Sequence, residues 1–492
     1  MKIKNLFLLL FLSFSLFAGR NPNVILILAD DLGYNELGSY GQKKIRTPYL
    51  DQLAKAGMRF TRNYSGSAVC APSRCVLMTG KHPGHAYIRN NGEIKPEGQR
   101  PVPLHTVTLA EVLKKEGYTT GAFGKWGLGG PGTEGDPMNQ GFDRFYGYNC
   151  QRHAHSYYPA YLWSDRNRVP LQNNPPVPGH ASLPTEADPS DPQSYAIFKG
   201  KDYASDRINE QALAFIKDNK DRPFFLYYPT LIPHVALHVP DEELKPYLKL
   251  NWYDPPFTRE QGYGYTPHFN PRAAYAAMIS RMDQYVGNVI SLVEQLGLTR
   301  DTIVIFTSDN GTSHLKLEVD YDFFKSVGNL RGLKGSLYEG GIRVPLIVKW
   351  PDQIKAGSVS DITTGFEDWM VTLHNLIGAR NPLNVKHDGH DLAPHLVGGS
   401  ISPRPHLYRE FSGYGGQQAV WVGRWKGIRQ NMLRKIKKQD PLDIALYDLS
   451  NDESESNNLA HSHPEVVSKI KEIMKEEHLV SKVFPMHVID QH

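Results

Sequence analysis

Continuous apolar runs alternate with stretches of helical periodicity along most of the chain. The run NVILILADD (residues 23 to 31) is apolar until it ends in two carboxylates, as expected of a strand buried on both faces of a parallel sheet. TPYLDQLAKAG then predicts a helix with Thr47 as N-cap, Pro48 at its first position and Gly57 at its stop. TVTLAEVLKKEGY predicts a second helix, and TTGAFGKWG a strand entering a glycine-rich loop. Further strands are expected at RPFFLYYPT (222 to 230), DTIVIFTSDNG (301 to 311) and VPLIVKWP (344 to 351), with a long helix from about Pro271 to Leu296. This alternation predicts an α/β fold: a large mixed, mostly parallel sheet sandwiched by helices.

Residues 164 to 200 and 253 to 270 break the pattern, being rich in Pro, Asn and Asp. They are expected to be long insertions at the mouth of the sheet, where ligand-contacting loops lie. Near residue 398 the period changes. HLYREFSGY, QQAVWVGRWKGIRQN and IALYDLS alternate like antiparallel strands, and HPEVVSKIKEIMKEE closes the chain as an amphipathic helix. The expected division is therefore a leader at 1–19, a large domain at 20–397 and a smaller C-terminal α+β subdomain at 398–492.

The leader follows from Lys2 and Lys4 ahead of the apolar run Leu6 to Phe17, which ends at Ala18 and Gly19. That run is short for a membrane span, so a cleaved export signal is preferred to a retained anchor, and the mature protein is expected to be periplasmic or secreted. No cysteine occurs before Cys70, which argues against a lipid anchor. A formal charge of +4 over 492 residues gives no reason to expect a nucleic-acid partner. The 20 histidines and 26 tyrosines suit polar, stacking pockets. The basic run Arg434, Lys435, Lys437 and Lys438 reads as a solvated hairpin tip.

Four clusters at strand ends carry chemistry, because ligands of open α/β sheets bind at the carboxyl ends of the strands. Asp30 and Asp31 end the first strand; as a pair they repel unless a cation or a donor compensates, and for the dipeptide alone a helix N-cap or turn pair is the better reading. Asp309 and Asn310 end another strand. Together the four offer only oxygen, which suits a hard cation such as Ca²⁺, or less well Mg²⁺, and argues against zinc. Lys125 in GKWGLG and Lys334 in GLKGSLYEGGIRVP would favour an anionic substrate if both bracket that site. His234 and His238 follow a buried strand, with structural and catalytic roles open for each.

SAVCAPSRCVLMTG (67 to 80) places two of the three cysteines five residues apart. A disulfide between them is poor geometry across a Pro-Ser-Arg entering a helix. From Cys70 through Pro72, Ser73 and Arg74 to Thr79-Gly80, the stretch instead resembles the signature of type I sulfatases, with every fixed position filled. Asp30-Asp31, GKWGLG, Pro233-His234, TSDNG and LKGSLYEGGIRVP recur in that family's order, and LYDLSNDESESNNLA resembles its C-terminal subdomain.

The resemblance implies an alkaline phosphatase-like fold and a sulfuric ester hydrolase. Its nucleophile would be the hydrate of Cα-formylglycine (3-oxoalanine), made from Cys70 by a dedicated maturing enzyme, with Cys75 a packing residue. Asp30, Asp31, Asp309 and Asn310, together with modified Cys70, would hold Ca²⁺; Arg74 would anchor the nucleophile; Lys125, His234 and Lys334 would surround the sulfate. Many family members carry histidine where this chain has Gly127, so His153 or His155 is expected to reach into the vacant space. The expected substrate is a sulfated carbohydrate, of galactose or N-acetylhexosamine type, with YYPAYLW (157 to 163) suited to stacking on sugar rings. The alternatives are a formylglycine-dependent phosphonate monoester or phosphodiester hydrolase, and an inactive sulfatase-like glycan-binding protein.

Overall fold

The computed structural model describes residues 21–95, 97–259, 264–436 and 440–491, so the leader, Lys437 and Lys438 lie outside the described residues. A ten-stranded sheet forms the centre. From edge to edge its strands are Ser358–Ser360, Met58–Phe60, Leu346–Lys349, Thr302–Ser308, Asn23–Asp30, Phe224–Pro233, Thr119–Lys125, Arg144–Tyr148, Tyr161–Ser164 and Asn167–Pro170. The five strands from Thr302–Ser308 to Arg144–Tyr148 run parallel, whereas Leu346–Lys349 and the hairpin at 161–170 are antiparallel.

The central strand Asn23–Asp30 is buried at every residue because apolar layers cover both faces. On one side Ile25 and Ile27 meet the long helix Pro271–Gln295 and the helix Ala204–Asp218. On the other, Val24, Leu26 and Leu28 meet the helices Cys70–Thr79, Leu109–Lys115 and Asp368–Leu376. Cys75 packs in this second layer, and all three cysteines are free and buried.

The helix at Pro48–Ala56 forms as the sequence predicts, but Thr47 makes no side-chain cap. Its hydroxyl instead accepts the Gly38 N–H at 2.9 Å, and Asp283 of the long helix accepts the N–H groups of Tyr49 (3.1 Å) and Leu50 (2.7 Å). The helix start is capped across the fold, a pairing that local sequence cannot display. Helix Leu109–Lys115 does carry its own capping box, Thr108 with Glu111.

A four-stranded antiparallel sheet, Leu407–Phe411, Gln417–Val422, Trp425–Gln430 and Ala445–Asp448, packs against the helix Pro464–Glu476. Its other face joins the main body through a buried ion network. Glu339 accepts from Lys426 Nζ (3.0 Å), Trp421 Nε1 (2.9 Å) and the Tyr64 hydroxyl (2.8 Å), while Glu455 accepts the Glu339 N–H at 2.7 Å. Full burial of Lys426 and Glu339 makes this joint expensive to open.

Candidate active site

Four adjacent parallel strands deliver the site. Thr302–Ser308 ends into Asp309 and Asn310, Asn23–Asp30 into Asp31, Phe224–Pro233 into His234, and Thr119–Lys125 at Lys125 itself. Parallel pairing puts all four carboxyl ends at one edge, so residues nearly 280 positions apart become neighbours. Asp31 takes a left-handed φ of 67°, and its N–H donates to Asp309 Oδ1 at 3.2 Å.

Cys70 is the first residue of its helix and is buried. Its Sγ lies 3.4 Å from Asp30 Oδ1 and 3.7 Å from Lys334 Nζ. Burial, reinforced by the Asp30 charge, pushes the thiol far above its ordinary range, so an unmodified Cys70 is a poor thiolate nucleophile. Arg74, one turn along the same helix, is fully buried. Its Nε (3.0 Å) and one terminal nitrogen (2.8 Å) both donate to Asp309 Oδ2, and the other terminal nitrogen donates to the Lys125 carbonyl.

Each lysine holds one carboxylate: Lys125 Nζ sits 2.6 Å from Asp30 Oδ2, and Lys334 Nζ 2.7 Å from Asp31 Oδ2. Burial alone would raise the Asp30 carboxyl, but Lys125, His234, Arg74 and Lys334 hold it far below the usual range. Asp309 goes the other way, pushed up to about 7 by burial and by the Asp30 charge. Asn310 donates to Asp31 Oδ1 at 2.8 Å, yet its own Oδ1 is buried without a hydrogen-bond partner. An orphaned amide oxygen among three carboxylates is what a hard cation would satisfy. The residues therefore fit a hard divalent cation.

A pocket of about 290 Å³ opens onto Cys70, Asp31, His234 and Lys334. Its rim holds residues not singled out in the sequence: Asn91, Gln151, Tyr265, His314 and Tyr414. They come from loops without a motif, and proximity alone reveals them. His155 lines this pocket, its ring 4.9 Å from that of His234 and within 12° of parallel.

Neither expected histidine fills the space beside Gly127, which is taken by Gln151. His153 turns elsewhere, with Nδ1 3.1 Å from Glu97 Oε1 and its ring packed on Tyr148 and Tyr161. Of the expected stacking run, Tyr157 and Tyr158 are core residues, whereas Tyr161 and Trp163 are half-buried with the Arg168 guanidinium over them (4.4 and 5.1 Å). His238 is buried, with burial lowering its pKa to about 3, and its Nδ1 accepts the Tyr157 N–H at 3.4 Å.

A second histidine cluster joins His82 and His85 to Asp388 and Glu477. His82 Nδ1 accepts the Gly84 N–H at 3.1 Å, so Nε2 carries the proton and donates to Glu477 at 2.8 Å. That tautomer suits a hydrogen-bonded joint between the main body and the end of the helix Pro464–Glu476 better than a metal ligand.

A buried helix start ringed by carboxylates, lysines and a histidine defines an enzyme site built for an anionic group. The chain belongs to the sulfatase family. It matches the family model described as Sulfatase over residues 22–379, and the one described as N-sulphoglucosamine sulphohydrolase, C-terminal, over 333–480. It is 34% identical to arylsulfatase A of Homo sapiens, covering 95% of this chain and 89% of that protein. It is 30% identical to N-acetylgalactosamine-6-O-sulfatase of Bacteroides thetaiotaomicron, covering 93% of each. The crystal structure of Ps i-CgsB in complex with k-i-k-neocarrahexaose superposes with a TM-score of 0.72 at 25% identity, covering 93% of each chain. The protein is thus a sulfatase with an alkaline phosphatase-like fold, and no helix among the described residues is long and apolar enough to cross a membrane.

Proposed function

We propose that this sulfatase removes sulfate from a sulfated carbohydrate, through a formylglycine hydrate formed from Cys70 by a maturing enzyme and in the presence of bound Ca²⁺. The observation that carries the reading is the place of Cys70: first residue of a buried helix, with Sγ 3.4 Å from Asp30 Oδ1 and 3.7 Å from Lys334 Nζ, it is well placed as the carrier of a hydroxyl pair. The carbohydrate class rests on the N-acetylgalactosamine-6-O-sulfatase relative, and a galactose- or N-acetylhexosamine-type sulfate is favoured. Export to the periplasm or beyond, directed by residues 1–19, belongs to the same reading.

One hydroxyl of the hydrate releases its proton to solvent as its oxygen attacks sulfur. The bond from sulfur to the sugar oxygen breaks, and the departing alkoxide takes a proton from Lys334; His234 is the poorer donor, because its Nδ1 proton is held by the Val235 carbonyl and burial lowers its pKa to about 4. The second hydroxyl then returns a proton to the group that protonated the alcohol, the carbon–oxygen bond to sulfate breaks with its electrons leaving on sulfate, and the aldehyde re-forms before adding water. An ordinary serine ester would need external water at that point, which is why two hydroxyls on one carbon matter. Lys125 and Lys334 supply donors to the sulfate oxygens, and Arg74 keeps Asp309 in place. Asp30, Asp31, Asp309 and Asn310 would hold Ca²⁺, with the modified Cys70 joining them; the ion supplies positive charge that polarises the sulfate group.

Mass spectrometry of the peptide containing Cys70 from natively produced enzyme is the deciding test. The expected result is an aldehyde at residue 70 in active protein, with turnover of sugar sulfates well above that of phosphodiesters. Active protein with an intact thiol would sink the reading, a phosphodiester preference would favour the phosphonate or phosphodiester hydrolase, and binding without turnover by fully modified protein would favour a glycan-binding role.

A further inference from the structure

The two loop insertions meet above the pocket, where the Thr266 N–H donates to the Gly179 carbonyl at 3.0 Å. Beside that crossing, the rings of His180 and Tyr265 pack 4.3 Å apart. Gly179 lies so close to His155 that a β-carbon there would fall 2.5 Å from the His155 carbonyl oxygen, which locks the insertion onto residue 155.

The hydrogen bonds here fix proton positions one after another. His180 Nδ1 is 3.0 Å from the Gly264 carbonyl oxygen, which can only accept, so Nδ1 of His180 carries a proton. Burial lowers the pKa of His180, and the neutral ring then offers a lone pair at Nε2. His155 Nδ1 lies 2.8 Å from that lone pair and must donate to it. Burial first, then the charge of His234, keeps His155 well below its ordinary pKa as well. Its single proton is committed to His180. The remaining nitrogen, Nε2, makes no hydrogen bond among the described residues and is left as an acceptor on a residue that lines the same pocket as Cys70 and Lys334.

Sulfate oxygens are acceptors, and a lone pair facing them would repel. A sugar hydroxyl or an amide N–H is a donor. We propose that His180 is a positioning residue which fixes the tautomer of His155, and that His155 Nε2 accepts a hydrogen bond from a hydroxyl or N–H of the sugar rather than touching the sulfate. The pocket thereby separates its tasks, with Lys125 and Lys334 reading the anion and His155 reading the sugar. This rests on the carbohydrate-sulfatase reading, so its test includes a measurement independent of turnover.

Long-range ¹H–¹⁵N spectra of histidine-labelled enzyme, assigned with a His155→Gln variant, should show His155 as the Nδ1–H tautomer at neutral pH. His180→Phe, which keeps a ring against Tyr265, should abolish that preference, and His180→Gln, whose amide can donate to Gly264 and accept from His155, should restore it. In kinetics, His180→Phe should lower kcat/KM about tenfold more for a sulfated N-acetylgalactosamine than for an aryl sulfate lacking hydroxyls, chiefly through KM, and His180→Gln should recover most of the loss. An Nε2–H tautomer in the wild type overturns the proposal whatever the substrate. So do equal losses on both substrates, or a Gln variant as impaired as Phe. Failure of fully modified enzyme to turn over any sugar sulfate would count against the carbohydrate reading instead, and the spectra would still decide the role of His180.

Discussion

The Gln151 amide nitrogen lies 2.2 Å from where a β-carbon on residue 127 would stand, and Gly127 itself has a φ of +81°. Neither amide atom of Gln151 has a hydrogen-bond partner, although both are buried. Gly127 and Gln151 thus share one volume. Gly127→His is expected to lose stability through this clash and through left-handed strain of about 1–2 kcal/mol. Shortening the neighbour as Gln151→Ala should recover the steric part. A double-mutant cycle in denaturant should give a favourable coupling of about 1 kcal/mol or more; strict additivity would show that the two positions do not compete.

Arg74 places two nitrogens on one oxygen of Asp309 and a third on the Lys125 carbonyl, so it couples the strand ends to the Cys70 helix. Lysine offers a single ammonium and no fork. Arg74→Lys should destabilise the protein by about 3 kcal/mol, since Asp309 keeps its burial but loses its clamp. Activity on an aryl sulfate should fall about a hundredfold through displacement of the nucleophile. Thermal unfolding with steady-state kinetics checks both, and wild-type stability would refute the clamp.

The C-terminal sheet reaches the site through Gln417, whose Oε1 accepts the Leu337 N–H at 3.0 Å and whose Nε2 donates to the Gly335 carbonyl at 2.7 Å. Gly335 adjoins Lys334. Gln417→Ala strands two backbone groups, at about 1–3 kcal/mol each, and should lower kcat/KM about tenfold by loosening Lys334. Gln417→Glu keeps the acceptor but loses the donor, and should fall between. Activity unaffected by Gln417→Ala would mean that the loop holds Lys334 unaided.

Asp283, which caps the helix at Pro48–Ala56, is pushed by burial to a pKa of about 7 from 3.8. The folded carboxyl binds its proton more tightly than the unfolded one, so its contribution is complete below about pH 4 and is lost as pH rises through about 7. Asp283→Asn does not titrate. Between pH 5 and 8 its stability relative to wild type should improve by about 2–3 kcal/mol, measured by urea unfolding at both values. A constant difference would mean that Asp283 is ionised throughout.

The sequence by itself determined the strands, the main helices and the strand-end residues, because apolar periodicity and a motif such as CAPSR are local properties of the chain. It could also mark Asp30, Asp309, Lys125 and His234 as residues that would share an edge if their strands ran parallel. Only the tertiary structure decided what lies between those motifs. Gln151 rather than a histidine fills the space at Gly127, His153 turns to Glu97, and His180 reaches His155 from an insertion with no periodic signal. Such contacts depend on where long loops come to rest and on which buried polar atoms need partners there, and neither is written in the spacing of residues along the chain.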